Sequence, residues 1–240
     1  MKFLKKILIL SKSLLWLFGL SKGVAANIEL LPFLKKVKNI NTLIDIGSNK
    51  GQFIILCQKF FPNLTVYSFE PIKEILERQK KFLNFKKNIY FFNFEIENKN
   101  KTLKFFITQR KDSSSFLTVN KHKNYNKNYS IYERRNIRIK KLDEILKNKK
   151  LANPILIKID VQGYELEVLK GSKKILSRID YLLLEVSKSR MYSNQPVEKE
   201  IVNFLTKKKY KILKKGLWSR INKTSFYQRD ILFKINHLQK

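Results

Sequence analysis

The sequence predicts an α/β fold: a mixed, seven-stranded sheet with helices on both faces, preceded by N-terminal helices. Three observations predict it. Short, near-continuous apolar runs alternate with helical periodicity from residue 42 to residue 208, as in strand–helix units whose strands are buried on both sides. Two of these runs are followed at once by a glycine turn and an amphipathic stretch, at Gly47 to Gly51 and at Gly163. The 240 residues, 43% of them hydrophobic and 18 of them Phe, supply enough chain for one substantial core.

Residues 1–20 carry Phe3, Leu4, Ile7, Leu8, Leu14, Leu15 and Phe18 on one helical face, between Lys2, Lys5, Lys6 and Lys12. An amphipathic helix fits this pattern. It either lies on a membrane surface, with Trp16 near the interface, or packs on its own domain or a second subunit. Lys12 splits the apolar region, and only the weak Gly23-Val24-Ala25-Ala26 follows as a small-residue site. That argues against a leader peptide and for a cytoplasmic chain with peripheral contact at the inner membrane face. Residues 28–37 predict a second helix with Pro32 in its first turn. The N-terminal helices thus occupy residues 1–40, and one domain occupies residues 41–240.

In that domain strands are expected at about residues 42–47, 64–69 and 88–94, with helices at about 51–60, stopped by Pro62, and 72–84. Residues 95–135 break the rhythm. Apart from an extra strand at 103–108 this insertion reads as irregular, rich in Asn, Lys and Tyr, and suited to a flap over the site. A short strand at 138–141 and a helical turn at 142–146 lead to a buried strand at 155–160, a helix at 164–176, a strand at 180–186 and a helix at 197–208. Residues 211–214 and 231–235 close the sheet as an antiparallel pair.

Composition narrows the chemistry. The single Cys57, inside an apolar helix, excludes a disulfide framework and a cysteine-cluster zinc site, and two histidines exclude a multi-histidine metal site. With 51 Lys+Arg against 19 Asp+Glu, the formal charge is +32. Such a field attracts nucleic acid, anionic lipid or acidic substrates. Richness in Lys, Asn, Ile and Phe also follows from A/T-rich codons, with no anionic partner.

The chemistry is expected at two strand ends. Asp45-Ile46-Gly47-Ser48-Asn49-Lys50-Gly51 is strand, tight turn and helix start, where backbone N–H groups favour polar ligand groups. It has neither the G-x-G-x-x-G order of a dinucleotide site nor the Gly-Lys-Ser/Thr of a P-loop. Glu70, ending the second strand before Pro71, is placed to take both hydroxyls of a ribose. Asp45, Glu70, Asp160 and Glu185 should converge on one rim of the sheet. Asp160 could instead cap the next helix, and Glu185 could pair with a lysine.

The first block resembles motif one of the class I methyltransferases. Together with Phe69-Glu70-Pro71, Leu142-Asp143-Glu144, Ile157-Lys158-Ile159-Asp160-Val161-Gln162-Gly163-Tyr164-Glu165, Val168-Leu169-Lys170-Gly171 and Leu184-Glu185-Val186, it resembles the FkbM-type methyltransferases over roughly residues 42–190. The Ser113-Ser114-Ser115-Phe116-Leu117 turn is similar to that family's serine motif. The resemblance implies a class I methyltransferase (Rossmann-like) domain using S-adenosyl-L-methionine, and O-methylation of sugars or polyketide-type products. Many members sit among genes for surface polysaccharide. It implies cofactor contacts from Asp45, Gly47, Ser48, Asn49, Gly51, Glu70 and Pro71; no metal-ligand residues are assigned. Where the family usually has Asp-x-Glu-Gly, this chain has Gln162, which cannot ionise.

Deprotonating a hydroxyl acceptor calls for a base within hydrogen-bond reach. Asp160 is the first candidate, Glu165 its neighbour, and His122 in the insertion the runner-up. Two other readings stay open. One is a nucleic-acid methyltransferase, suggested by the charge but lacking an Asn/Asp-Pro-Pro-Tyr-type motif or a Pro-Cys nucleophile. The other is a non-catalytic, membrane-associated binding protein on the same fold.

Overall fold

Around one fully buried strand, Thr42–Ile46, the rest of the sheet is assembled. The computed structural model describes residues 3–118, 129–221 and 224–236. In chain order it contains α1 (Phe3–Leu10), α2 (Leu14–Ser21), α3 (Leu31–Leu34), β1 (Thr42–Ile46), α4 (Gln52–Phe60), β2 (Thr65–Phe69), α5 (Lys73–Leu83) and β3 (Ile89–Phe92). Then come β4 (Glu95–Ile96), β5 (Lys101–Thr108), β6 (Ile131–Lys140), α6 (Leu142–Ile145), β7 (Ile155–Ile159), α7 (Glu165–Lys170), β8 (Tyr181–Ser187), α8 (Glu198–Lys207), β9 (Tyr210–Lys215), β10 (Ser219–Arg220) and β11 (Tyr227–Ile235).

The main sheet runs β10-β11-β8-β7-β1-β2-β3, with β9 also paired to β11. β8, β7, β1, β2 and β3 are mutually parallel, and β11 enters antiparallel. β9 and the two-residue β10 pair successive parts of β11, so the outer edge is one strand broken at Gly216 to Trp218. This is the expected mixed α/β sheet.

Each face of the sheet has its own core. On one side Ile44, Ile46, Ile157 and Ile159 pack with Val168, Leu169 and Leu205. On the other, Leu43 and Leu156 pack with Phe53, Ile54 and Leu56 of α4 and with Leu10, Trp16, Ile28 and Phe33 from the N-terminal segment. This split follows from the period of two along a strand.

Several expectations need correction. The single N-terminal helix is two, broken at Ser11-Lys12-Ser13, and much of the expected apolar face points away from the domain. Leu10 and Trp16 are buried while Leu4, Leu8 and Leu14 are exposed. Trp16 Nε1 donates to Ile55 O at 3.0 Å, so the indole lies inside rather than at an interface. The second helix is a 3-10 turn, Ile28–Leu30, followed by the four-residue α3. The helix expected at 164–176 ends at Lys170, where Gly171 packs so close to Glu97 that a Cβ would lie 2.1 Å from its carbonyl oxygen.

The insertion is not irregular throughout. β5 and β6 form a long antiparallel ribbon, and β4 adds parallel to β6 as a second, three-stranded sheet. Only the end of β6 falls in the strand expected at 138–141, because its early residues alternate between half-buried and exposed, without an apolar run. Residues 119–128, with His122, lie outside the described residues.

Candidate active site

The glycine turn is shaped by the strands beside it. Gly47 N and Ser48 N both donate to Phe69 O at 3.0 Å, tying the end of β1 to β2. Gly47 has φ +74°, and a Cβ there would lie 2.0 Å from Asp160 O. Only glycine meets both demands. Asn49, at φ +50°, and Gly51, at φ +86°, carry the chain into α4. Behind the turn Gln79 Nε2 donates to Ser48 Oγ at 3.0 Å and to Asn49 O at 2.9 Å, and Ser68 Oγ donates to Gln79 Oε1 at 2.7 Å. The Ser48 side chain is therefore committed inward. Asn49 Oδ1 is a buried acceptor with no partner among the described residues.

Glu70 faces this turn. Its Oε2 accepts from Asn49 N at 3.0 Å and its Oε1 from Ile72 N at 2.9 Å. Burial pushes its carboxyl up to about 7 against the downward pull of those two N–H bonds. Asn93 Nδ2 donates to Glu70 O and Pro71 O, each at 3.0 Å, and holds the strand end in place.

The second half of the site grows from β7. Lys158 and Asp160 fall on one face of the strand, two residues apart. Lys158 Nζ lies 3.1 Å from Asp160 Oδ2, and only 7% of the lysine side chain is exposed against 30% for the aspartate. Burial lowers the affinity of Lys158 for its proton, but Asp160 and Asp45 outweigh burial and hold the ammonium above its ordinary value. Gln162, at φ +53°, sends Nε2 to Asp160 Oδ1 at 2.9 Å and lies 3.3 Å from Glu185 Oε2. Gln228 Nε2 donates to the other Glu185 oxygen at 2.7 Å. Burial, then Asp160 and Asp230, push the Glu185 carboxyl up. The Tyr192 hydroxyl reaches Ser113 O at 3.0 Å and Gln162 Oε1 at 3.2 Å, joining the serine turn to the loop after β7. Ser115 Oγ donates to Gln162 O at 2.8 Å.

Both halves line one cavity of about 360 Å3, which also reaches Glu95, Lys111 and Tyr192. That volume suits a small-molecule site. The cavity brings together Gly47, Ser48, Asn49, Glu70, Pro71, Asp160 and Glu165. Asp45 and Gly51 are not in its wall. Asp45 lies fully buried beneath the turn, and Gly51 backs onto Gln79 and Leu83. The Glu165 carboxylate turns back to accept Gly163 N at 2.9 Å, and burial pushes it up to about 7.

Sequence reasoning missed Lys158, Tyr192 and Glu95 as site residues. A lysine inside the apolar run Ile155-Leu156-Ile157-Lys158-Ile159 was a readable signal, because a buried ammonium needs a partner. Tyr192 and Glu95 left none.

The family model described as the methyltransferase FkbM domain matches residues 45–212, most of the chain and both halves of the cavity. This chain belongs to the FkbM methyltransferase family. The matched segment is an S-adenosylmethionine-dependent methyltransferase domain. Among curated proteins it is similar to hexuronic acid methyltransferase AglP of Haloferax volcanii, at 23% identity over 159 residues. That alignment covers 64% of this chain and 59% of AglP, so the chain spans somewhat over half of that relative. Among solved structures, this FkbM-family chain is similar to TrmK of M. capricolum in complex with S-adenosyl-homocysteine, with TM-score 0.50 and 14% identity over 89% of this chain and 72% of that one. The B. subtilis m1A22 tRNA methyltransferase TrmK gives TM-score 0.50 and 11% identity over 89% of this chain and 68% of that one. At such identities the likeness is one of fold.

Proposed function

We propose that the protein transfers the methyl group of S-adenosylmethionine to a hydroxyl of a sugar or sugar-containing metabolite. When bound, the cofactor supplies an electrophilic methyl carbon. Its ribose hydroxyls and its ammonium are hydrogen-bond donors. The cofactor-side residues match them with acceptors: the Glu70 carboxylate, which keeps lone pairs beyond its two backbone bonds, and the unpartnered Asn49 Oδ1. Gly47 and Pro71 shape the wall beside them, and Asp45, Ser48 and Gly51 support the turn from behind.

The observation that carries the reading is Asp160, partly exposed to the same cavity as Glu70 and held at both oxygens by Lys158 and Gln162. Asp160 would take the proton of the acceptor hydroxyl, freeing that oxygen to receive the methyl group. Positioning two reactants supplies much of the acceleration, and the base a further ~10²–10⁴-fold. Glu165 serves as the brace of the Asp160 loop. Lys111 lines the cavity and supplies positive charge for an acidic sugar, in keeping with the hexuronic acid named for AglP, while the Arg110 guanidinium beside it is paired with Asp112 at 2.7 Å.

The charge of +32 favours a second reading, an RNA acceptor. One experiment separates them. The protein is incubated with methyl-labelled S-adenosylmethionine and, in parallel, uronic-acid glycans, neutral glycans and RNA, and the products are identified by mass spectrometry. A methyl ether on a sugar hydroxyl is expected. Label in RNA with none in any glycan would overturn the sugar reading.

A further inference from the structure

We infer that α1 and α2, with the adjoining end of α5, form a docking face for an anionic lipid bilayer. This does not rest on the proposed methyl transfer. The α2 sequence, Leu-Leu-Trp-Leu-Phe-Gly-Leu-Ser, is apolar around its whole circumference. One side is used internally, where Trp16 and Gly19 are buried against the domain. The other side presents Leu14, 86% exposed, with Leu17, Phe18 and Leu20. α1 repeats the arrangement, with Leu10 buried and Leu4 and Leu8 exposed at 80% and 64%. A helix apolar on all sides is ordinarily covered on all sides.

The patch continues onto α5. The Phe18 ring stacks on Phe82 at 5.7 Å and meets Phe85 edge-on at 6.1 Å. With Leu14, Leu15 and Val24 these rings line an apolar groove between α2 and α5. An exposed apolar surface of this extent marks an interaction site.

Charge selects the occupant. The groove is rimmed by Lys22, Arg78 and Lys81, and none of its described lining residues is acidic. Lys5 and Lys12 are exposed on the adjoining α1 and its link to α2. A second copy related by a two-fold axis would set these cations against their own kind. Anionic head groups complement them, each basic side chain near such a surface strengthening binding ~5-fold. Among the described residues no helix is long and apolar enough to cross a membrane. The geometry is therefore that of short helices lying in the interface plane, apolar side chains inward and lysines at the head groups.

The test is flotation of the full-length protein with vesicles of phosphatidylcholine mixed with phosphatidylglycerol, or of phosphatidylcholine alone. Recovery with the anionic vesicles is expected to exceed that with the neutral ones and to fall as salt is added. Leu8→Asp combined with Leu14→Asp alters only exposed positions, and circular dichroism melting should confirm the fold. This variant should bind anionic vesicles at least ~10-fold more weakly. Lys5→Gln with Lys12→Gln should lose most of the anionic preference. Equal flotation with both vesicle types, or equal flotation of wild type and the Leu8/Leu14 variant, would overturn the inference. So would a wild-type dimer that the variant dissociates, without vesicle binding, which would assign the face to a second copy.

Discussion

Lys158 and Asp45 stand opposite each other in register on the neighbouring strands β7 and β1, with Lys158 Nζ 3.8 Å from Asp45 Oδ1. Neither Asp45 oxygen accepts a hydrogen bond among the described residues, and the aspartate has no exposed surface. Burial pushes its carboxyl up to about 6, Lys158 pulls it back, and Asp160 adds to the rise. One ammonium thus balances a buried carboxylate in the core and a half-exposed one at the cavity.

Lys158→Met should therefore destabilise the fold by ~3–5 kcal/mol, the cost of leaving a buried charge without its partner. Chemical denaturation at neutral pH checks this. Adding Asp45→Asn should recover part of the loss, because the orphaned charge is then removed. A single variant as stable as wild type would show that the pair contributes nothing.

Asp160→Asn keeps the shape of the side chain while removing its charge. Turnover on an established acceptor should fall ~10²–10⁴-fold, with S-adenosylmethionine affinity nearly unchanged. Steady-state kinetics and calorimetry read the two quantities separately. Near-normal turnover would leave Asp160 as no more than the structural partner of Lys158 and Gln162.

Glu70→Gln leaves one oxygen where two carboxylate oxygens now serve Asn49 N and Ile72 N. It also weakens the acceptor facing a ribose. S-adenosylmethionine binding should weaken by ~1.5–3 kcal/mol, the worth of a hydrogen bond to a charged group. Isothermal titration calorimetry measures it, and equal affinities would move the ribose contact elsewhere.

Glu95 is 3% exposed in the cavity wall, and burial pushes its carboxyl up to about 8, with its Ile96 N–H bond opposing and Glu70 and Glu165 adding to the rise. The folded protein keeps this proton to higher pH than the unfolded chain, where a glutamate titrates near ~4.3. The associated stability is complete below about 4.3 and is lost as pH rises through about 8. Glu95→Gln removes that loss. The variant should match wild type near pH ~4 and exceed it by ~1–3 kcal/mol at pH ~8, measured by denaturant titration of the cofactor-free protein. A gap that does not widen with pH would show that Glu95 does not titrate in this window.

The sequence by itself determined the strand–turn–helix at Gly47 to Gly51, the acid ending β2 and the strand carrying Asp160. Each is local: an apolar run, a glycine where φ must be positive, and an acid at the run's end can be read within a dozen residues. The tertiary structure decided the rest, because it depends on register and packing between distant segments. Register across β1 and β7 set Lys158 against Asp45 and drew Asp45 out of the cavity wall. Packing on α4 turned Trp16 inward and left Leu14 outside, a choice the helical pattern alone left open because α2 is apolar on every side. Pairing with β5 made a strand of residues whose charges hide any apolar run. Gln162, which in sequence reads as a residue that cannot ionise, is in space the donor that joins Asp160 to Glu185. That role needs an N–H between two carboxylates, and no local pattern of residues encodes it.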